Sequence, residues 1–289
     1  MKNKIKYWLI PIGIQNLLKS KLNPRKEDVF NVPETKNNEQ FKNIHAGKRC
    51  FVLASGPSIN RQNLKPLQNE ICIAVSSFFN HPDIDIIKPK YHVIAPMHPP
   101  FTFEEGAIVL NGLQKQYKHS VDIFIGTNSY EYSHFNCIAE KHIEINQKVY
   151  PINYDNSVEI DENNLNNEAI WDITKTPFSI RTVIYSAIQL AHYMGFTEIV
   201  LLGCDHDYLN DVSRTENHHF YKENESFSDK KHLSEFTRER WFFEYYKRWK
   251  DYRLIQEYLN AKGVKVVNAT DGGMLDVFPR KDLKSYTEL

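Results

Sequence analysis

Short apolar segments that end in turn-forming residues constrain this chain more than any other feature. They occupy 50–55, 71–75, 91–95, 122–126, 198–203 and 264–269, and polar or amphipathic stretches separate them. Runs this short and this apolar are typical of strands that are buried on both faces of a parallel sheet. The chain is therefore predicted to be an α/β protein with a mostly parallel sheet.

Two helices are predicted in the second half of the chain. Apolar residues recur with a helical period over 182–194, and Gly195 is placed to end that helix. A longer pattern over 235–261 is crowded with aromatic side chains, which we interpret as core or lid packing, with stacking on a ligand as the alternative. Parallel sheets with right-handed crossovers bind ligands beyond the carboxyl ends of their strands, which is where the candidate site is sought.

Length and charge limit the function classes. The 289 residues suit one main domain, predicted over 49–289, with a small helical or loop lid at about 205–235. Lys plus Arg and Asp plus Glu number 36 each, so no overall positive charge recruits nucleic acid. Cys50, Cys72, Cys137 and Cys204 show no CxxC spacing, which predicts buried thiols in a reducing, cytoplasmic compartment.

The N-terminal residues 1–22 combine lysines with an apolar run. Pro11 and Gln15 interrupt that run, it is too short to span a bilayer, and it lacks a small-residue cleavage site, so a signal peptide is not predicted. We interpret it as an amphipathic segment that either contacts the inner face of the cytoplasmic membrane or packs on its own domain or on a subunit of a homo-oligomer. The polar segment 23–48 is predicted to be a linker, and 150–167 a surface excursion.

The turns after the predicted strands carry the candidate nucleotide-binding residues. In Ser55-Gly56-Pro57-Ser58, glycine permits close approach of a phosphate, whereas a helix cap without a ligand is the alternative reading. The chain has neither a GxxxxGK[ST] nor a complete GxGxxG motif, which argues against a P-loop kinase and a dinucleotide oxidoreductase.

Two further polar groups follow the 198–203 strand. Asp205 and Asp207 could hold a metal ion, bind ribose hydroxyls or cap the next helix. His218 and His219 lie in a predicted loop, and imidazole titrates nearest neutral pH, so they are the candidate acid or base. Inert surface histidines are the alternative.

The order of these motifs resembles a known family. Val-Leu-Ala-Ser-Gly-Pro-Ser, Ile-Ala-Val-Ser-Ser, Arg-Thr before the helix that ends at Gly195, Gly-Cys-Asp-His-Asp-Tyr and His-His-Phe-Tyr follow one another between residues 48 and 280. This arrangement resembles the small bacterial sialyltransferases of glycosyltransferase family 42, within the wider hydroxymethylpterin pyrophosphokinase-like superfamily. The resemblance implies a Rossmann-like sheet, a variant of the GT-A glycosyltransferase architecture.

The resemblance also implies a reaction and roles for residues. It implies inverting transfer of a sialic acid-like sugar from a CMP-activated donor to a glycan or glycolipid acceptor, as in lipopolysaccharide or capsule biosynthesis, without a required cofactor. His219 matches the general base, with His218 as the competing assignment, and Tyr208 matches a tyrosine that hydrogen-bonds the departing phosphate. The nucleotide is expected on the Gly-Pro-Ser turn and on a second set of residues, which comprises Ser76, Thr182, Gly203, Cys204 and Asp205.

Differences from the family pattern leave two other functions open. Ser55 and Ser76 stand where the family usually has asparagine. The expected donor is therefore a CMP-linked acidic sugar as a class, of which sialic acid is one member. One alternative is an ATP-dependent pyrophosphokinase, in which Asp205 and Asp207, with Asp211, hold Mg²⁺. The other is a non-catalytic protein of glycan assembly that keeps the fold.

Overall fold

The structure is a computed structural model that describes residues 32–140, 143–211, 218–221 and 237–288. The predicted amphipathic segment 1–22, the first part of the predicted linker and much of the predicted lid lie outside the described residues.

A seven-stranded sheet in which every neighbouring pair of strands is parallel forms the centre of the described chain. Its strands are β1 (Arg49–Leu53), β2 (Cys72–Val75), β3 (Tyr91–Ile94), β4 (Asp122–Thr127), β5 (Lys148–Asn153), β6 (Glu198–Leu202) and β7 (Lys265–Asn268). They are ordered β5-β4-β3-β2-β1-β6-β7. The prediction of an α/β, Rossmann-like sheet is therefore confirmed.

Helices cover both faces of this sheet. The α-helices of the described residues are α1 (Ile84–Ile87), α2 (Phe103–Gln116), α3 (His134–Ala139), α4 (Val183–Tyr193), α5 (Arg238–Ala261) and α6 (Lys284–Thr287). Short 3₁₀-helices add Pro33–Phe41, Pro57–Arg61, Lys65–Asn69, Ser76–Asn80, Glu168–Trp171 and Tyr208–Asn210.

Strand β1 shows why the sheet is buried on both faces. Cys50 and Val52 belong to the apolar cluster that includes α4 and α5. Phe51 and Leu53 point to the opposite cluster, which includes α2. Because successive side chains of a strand alternate between faces, a continuous apolar run is what a strand covered on both sides requires.

Local signals fix the ends of α4 as the sequence predicts. The Thr182 hydroxyl accepts a hydrogen bond from the Ile184 amide at 3.5 Å and caps the first turn. Gly195 follows the helix with φ of +85°, a left-handed conformation that favours glycine. The residues on either side of this helix are thereby held in place, and Thr182 stands at the sheet edge where the site lies.

The prediction that 150–167 is a surface excursion was wrong. Residues 148–153 form β5, and the side chains of Tyr154, Ile160 and Leu165 are buried in the core. β5 has a neighbour on one side only, and such an edge strand tolerates Pro151, which has no N–H for a ladder bond. The strand was not recognised because polar residues follow it and because its own sequence is less apolar than that of a central strand.

The described part of the predicted linker is folded against β5. The 3₁₀-helix Pro33–Phe41 buries Phe41 in the core. Its Asn38 side chain donates hydrogen bonds to the carbonyls of Pro151, at 2.8 Å, and Ile173, at 3.0 Å. The structured domain therefore begins before residue 48.

The four cysteines are buried free thiols, as predicted. Among the described residues, no helix has the length and apolar character needed to cross a bilayer.

Candidate active site at the reversal of strand order

A cavity of about 430 Å³ opens at the carboxyl ends of β1, β2, β3 and β6. The strand order reverses between β1 and β6, since the chain runs from β1 towards β5 in one direction and returns to β6 on the other side. In parallel α/β sheets, the crevice at such a reversal is the usual ligand site. The volume lies within the range of small-molecule sites.

Most of the residues selected from the sequence line this cavity. They are Ser55, Gly56, Ser76, Thr182, Gly203, Cys204, Asp205, Asp207, Tyr208, His218 and His219. Pro57 and Ser58 do not line it. The structure thus brings together turns that are up to 164 residues apart in the chain, as the Ser55–His219 contact illustrates.

The Gly-Pro-Ser turn binds the protein's own carboxylate. The amide and hydroxyl of Ser58 donate to the two Asp205 carboxylate oxygens, at 3.0 and 2.7 Å. Burial raises the pKa of Asp205, and the hydrogen bonds from Ser58 oppose that rise. A side chain at Gly56 would meet Asp205 Oδ2 at 2.0 Å and the Gly203 carbonyl at 2.5 Å. Glycine is therefore required here for the close approach of two protein turns, whereas the sequence suggested the approach of a phosphate.

The acidic pair after β6 fits a magnesium site poorly. Asp205 already uses both carboxylate oxygens to accept hydrogen bonds from Ser58. Asp207 Oδ1 lies 3.6 Å from His218 Nδ1, so its carboxylate faces an imidazole. Within the described ranges, no three His, Cys, Asp or Glu side chains are grouped as metal ligands would be.

His219 is held at the end of β1. The Phe220 amide donates to the Ser55 carbonyl at 2.9 Å, and the Asn60 side chain donates to the Phe220 carbonyl at 3.1 Å. These bonds place the His219 Nδ1 atom 3.2 Å from the Ser55 hydroxyl. The His219 ring also stacks on Tyr221, with ring centroids 5.1 Å apart.

His218 has acidic neighbours on both sides of its ring. Its Nε2 atom lies 3.3 Å from Asp211 Oδ2, and its Nδ1 atom 3.6 Å from Asp207 Oδ1. The ring packs against Tyr208, with centroids 4.5 Å apart. The two adjacent histidines therefore differ in chemistry, because carboxylates flank His218 whereas a neutral hydroxyl contacts His219.

Two cavity residues have backbone conformations that non-glycine residues seldom adopt. Ser76 and His206 both have φ of +49°. The buried His92 donates from Nε2 to the Ser76 carbonyl at 2.8 Å, and its Nδ1 accepts from the Tyr117 hydroxyl at 2.7 Å. His206 Nε2 lies 2.8 Å from the Tyr252 hydroxyl. A tyrosine hydroxyl therefore supports each left-handed residue: Tyr252 contacts His206 directly, and Tyr117 contacts the His92 ring that donates to the Ser76 carbonyl. A strained backbone conformation persists only where its surroundings hold it in this way.

Helix α5 contributes cavity residues that the sequence interpretation did not select as site residues. Trp241, Tyr245 and Arg248 line the cavity, and Arg181 lines it beside Thr182. The spacing 241, 245, 248 places the three α5 residues on one helix face, and an arginine inside an aromatic stripe was the signal that could have identified them.

Arg181 joins α5 to the rest of the domain. Its guanidinium contacts Asp251 at 3.0 Å, Glu244 at 3.1 Å and Glu159 at 2.7 Å. Burial raises the pKa of Asp251 to about 6, against the opposing charge of Arg181. Three carboxylates thus compensate the positive charge of Arg181.

The fold and the cavity define an α/β protein with a ligand site at the reversal of strand order. No family model matches the chain, and no curated protein matches it by sequence. Its fold is similar to that of the MAf glycosyltransferase from Magnetospirillum magneticum AMB-1, at 13% identity and a TM-score of 0.46. That similarity covers 86% of this chain and 38% of the other, so this chain spans well under half of the neighbour's length.

A second similar structure is the sialyltransferase CstII from Campylobacter jejuni, in complex with the substrate analogue cytidine-5′-monophosphate. The identity is 15% and the TM-score 0.46, with 81% of this chain and 85% of the other covered. At these identities and TM-scores, the two similarities do not define a function for this chain.

Proposed function

We propose that this chain is a glycosyltransferase that transfers a sialic acid-like, acidic sugar from a CMP-activated donor to a glycan acceptor of the cell surface, with inversion at the anomeric carbon. One observation carries the proposal: a histidine and the Ser55-Gly56 turn, from distant parts of the chain, meet on one cavity of small-molecule size, with Ser55 Oγ 3.2 Å from His219 Nδ1. The motif order between residues 48 and 280 supports the choice of donor.

His219 is the proposed general base. If its Nδ1–H donates to the Ser55 hydroxyl, Nε2 carries the lone pair and can accept a proton. The acceptor hydroxyl loses its proton to Nε2 while its oxygen bonds to the anomeric carbon. The bond from that carbon to the phosphate oxygen breaks, and CMP leaves with the bonding electrons.

The contacts of His218 favour a different role for that residue. Carboxylates lie near both of its ring nitrogens, so it is positioned to pair with Asp211 and to pack against Tyr208. Tyr208 is proposed to donate a hydrogen bond to the departing phosphate, where negative charge accumulates in the transition state. His218 then keeps that tyrosine in place.

The test is incubation of the purified protein with CMP-sialic acid, other nucleotide sugars or ATP, each with and without EDTA. Free CMP that appears from CMP-sialic acid in the presence of EDTA is the expected result. AMP formed from ATP only with Mg²⁺ would instead identify a pyrophosphokinase. Absence of turnover with every donor, together with unchanged function in cells after replacement of both His218 and His219, would identify a non-catalytic protein.

A further inference from the structure

Helix α5 presents one face to the cavity, and the polar groups on that face are unusual. Tyr245 and Arg248 both line the cavity. Tyr245 is buried, Arg248 is half-buried, and the Arg248 guanidinium carbon lies 5.1 Å from the centre of the Tyr245 ring.

The two arginines of the cavity differ in their counter-charges. Arg181 contacts three carboxylates and is compensated. For Arg248 there is no carboxylate at salt-bridge distance in the part of the chain that the structure describes. Its charge is felt by the neighbouring His206, whose pKa is lowered to about 3, first by burial and then by this guanidinium.

Hydrogen bonds do not satisfy this pair either. Arg248 Nε and the Tyr245 hydroxyl are both buried; the two side chains lie close enough to interact, but within the described residues neither atom completes a well-aligned hydrogen bond. A buried donor without an acceptor, and a partly buried cation without an anion, are both unfavourable. Groups of this kind at a cavity wall are expected to be completed by a ligand that brings oxygen atoms and negative charge.

We propose that Arg248 and Tyr245 form an oxyanion subsite of the cavity, which binds a phosphate or carboxylate group of the donor. This inference rests on the proposed function for the identity of the donor, because a CMP-linked acidic sugar carries both groups. The planar guanidinium suits either group, since it can donate two parallel hydrogen bonds. Neither residue belongs to the set that the sequence motifs assigned to nucleotide binding.

The subsite is tested by measuring the binding of cytidine, CMP and CMP-sialic acid to the wild type and to Arg248→Gln. Loss of a charge-assisted contact is expected to weaken binding of the ligand that carries the recognised group by about 10- to 100-fold. If the phosphate is recognised, CMP loses affinity and cytidine does not. If the carboxylate is recognised, only CMP-sialic acid loses affinity.

Three variants make the result specific. Arg253→Gln is the matched control, because Arg253 lies on the same helix, pairs with Glu257 and Glu162, and does not line the cavity. Arg248→Lys keeps the charge without the planar fork and is expected to bind with intermediate affinity. Tyr245→Phe removes only the hydroxyl and should weaken the same ligand. Equal affinities of wild type and Arg248→Gln for all three ligands, or an equal loss in Arg253→Gln, would overturn the proposal.

A second measurement separates this inference from the proposed function. Inorganic phosphate is expected to raise the melting temperature of the wild type but not that of Arg248→Gln. If phosphate does so while no cytidine ligand binds, the oxyanion subsite stands and the CMP-dependent function fails. The opposite outcome is that CMP-sialic acid is turned over, while Arg248→Gln changes neither the effect of phosphate on the melting temperature nor the affinity for any of the three cytidine ligands. In that case the function stands and the subsite fails.

Discussion

At the scale of single residues, the site depends on turns that bind one another. Ser58 donates twice to Asp205, and Gly56 leaves room for both Asp205 and the Gly203 carbonyl. The turns after β1 and β6 are thereby clamped together beside the cavity, whose wall is organised by the protein's own contacts. Substitutions in this clamp should act on folding before they act on binding.

Gly56→Ala tests the clamp. The new Cβ would lie 2.0 Å from Asp205 Oδ2 and 2.5 Å from the Gly203 carbonyl oxygen, so both turns must shift. We expect a loss of stability of about 3 kcal/mol, at the upper end of overpacking effects, measured by thermal or denaturant unfolding. Gly47→Ala is the control, because its Cβ would meet nothing within 4 Å and its φ of +76° adds only backbone strain, about 1–2 kcal/mol. Equal losses in the two variants would refute the clamp.

His219→Ala tests the proposed base. The variant should lose more than about 100-fold in kcat for CMP release, because the acceptor proton has no acceptor in the transition state. Its affinity for CMP should remain close to that of the wild type, which calorimetric titration can measure. His218→Ala is the comparison, and it should retain more activity than His219→Ala. The reverse order of activities, or a large loss of CMP affinity in His219→Ala, would remove His219 from the role.

The sequence predicted which residues line the cavity better than it predicted the contacts among them. Serine and glycine after apolar runs were sufficient to select residues 55, 56 and 203, because all parallel strands end at one edge of the sheet, and His219 was selected as an imidazole in a predicted loop. That Ser58 would bind Asp205 was not predictable, since it depends on the relative position of two turns 147 residues apart. The cavity residues of α5 were not selected from the sequence, because the aromatic residues around them are equally typical of a protein core.

At the scale of secondary-structure elements, α5 holds the wall of the cavity, and its attachment is electrostatic as well as apolar. Its residues Glu244 and Asp251 share the guanidinium of Arg181, which directly precedes the α4 cap residue Thr182. The same guanidinium contacts Glu159 in the segment after β5. One side chain therefore connects three parts of the chain around the site.

Arg181→Gln should loosen this attachment. Removal of the cation leaves the buried Asp251 carboxylate uncompensated, which is expected to reduce stability by about 3 kcal/mol. The measurement is the melting temperature. Lys247→Gln is the control in the same cluster, because its contact with Glu159 is more exposed and is worth less than about 1 kcal/mol. The double variant Arg181→Gln/Asp251→Asn should recover part of the loss, and a fully additive double variant would contradict this account.

The central strands of the fold and the edge strand β7 were predictable from sequence, whereas β5 and α2 were not. β1, β2, β3 and β6 are buried on both faces, so their apolar runs are unambiguous. β5 is an edge strand with polar residues and was missed. α2 was also missed, although Thr102 and Glu105 form a capping box that is readable from their spacing. An apolar sequence pattern identifies a segment by its burial, and β5 and α2 are less completely buried than the central strands.

At the scale of the whole molecule, buried histidines couple stability to pH. Burial lowers the pKa of His92 and His134 to about 4 and that of His206 to about 3. The ordinary histidine pKa is 6.5, so between pH 6.5 and about 4 the unfolded chain binds protons that the folded chain does not. Their stabilising contribution is complete above pH 6.5 and is lost as the pH falls.

We therefore expect the melting temperature to be nearly level between pH 7.5 and about 6.5 and to fall from there to pH 4.5, with each histidine contributing up to about 1.4 kcal/mol per pH unit. Asp251, whose pKa is raised to about 6, acts in the opposite direction, as do Asp122 and Asp205, whose pKa values burial raises. The histidine side is also larger, since burial lowers the pKa of His45 to about 4 and that of His81 and His192 in the same direction. His134→Leu should flatten the profile, because it removes one of the buried imidazoles whose pKa is lowered. A melting temperature that is constant over this range would contradict the prediction.

The hydrogen bond from the Phe220 amide to the Ser55 carbonyl joins two backbones, so it does not depend on the side chain at position 55. That side chain is nevertheless the one that contacts the His219 ring. Position 55 can therefore be varied to change what the His219 ring contacts, while the backbone that carries the ring stays bonded to the end of β1. Substitutions at this one position can therefore probe the contact of the ring without detaching the segment that bears it.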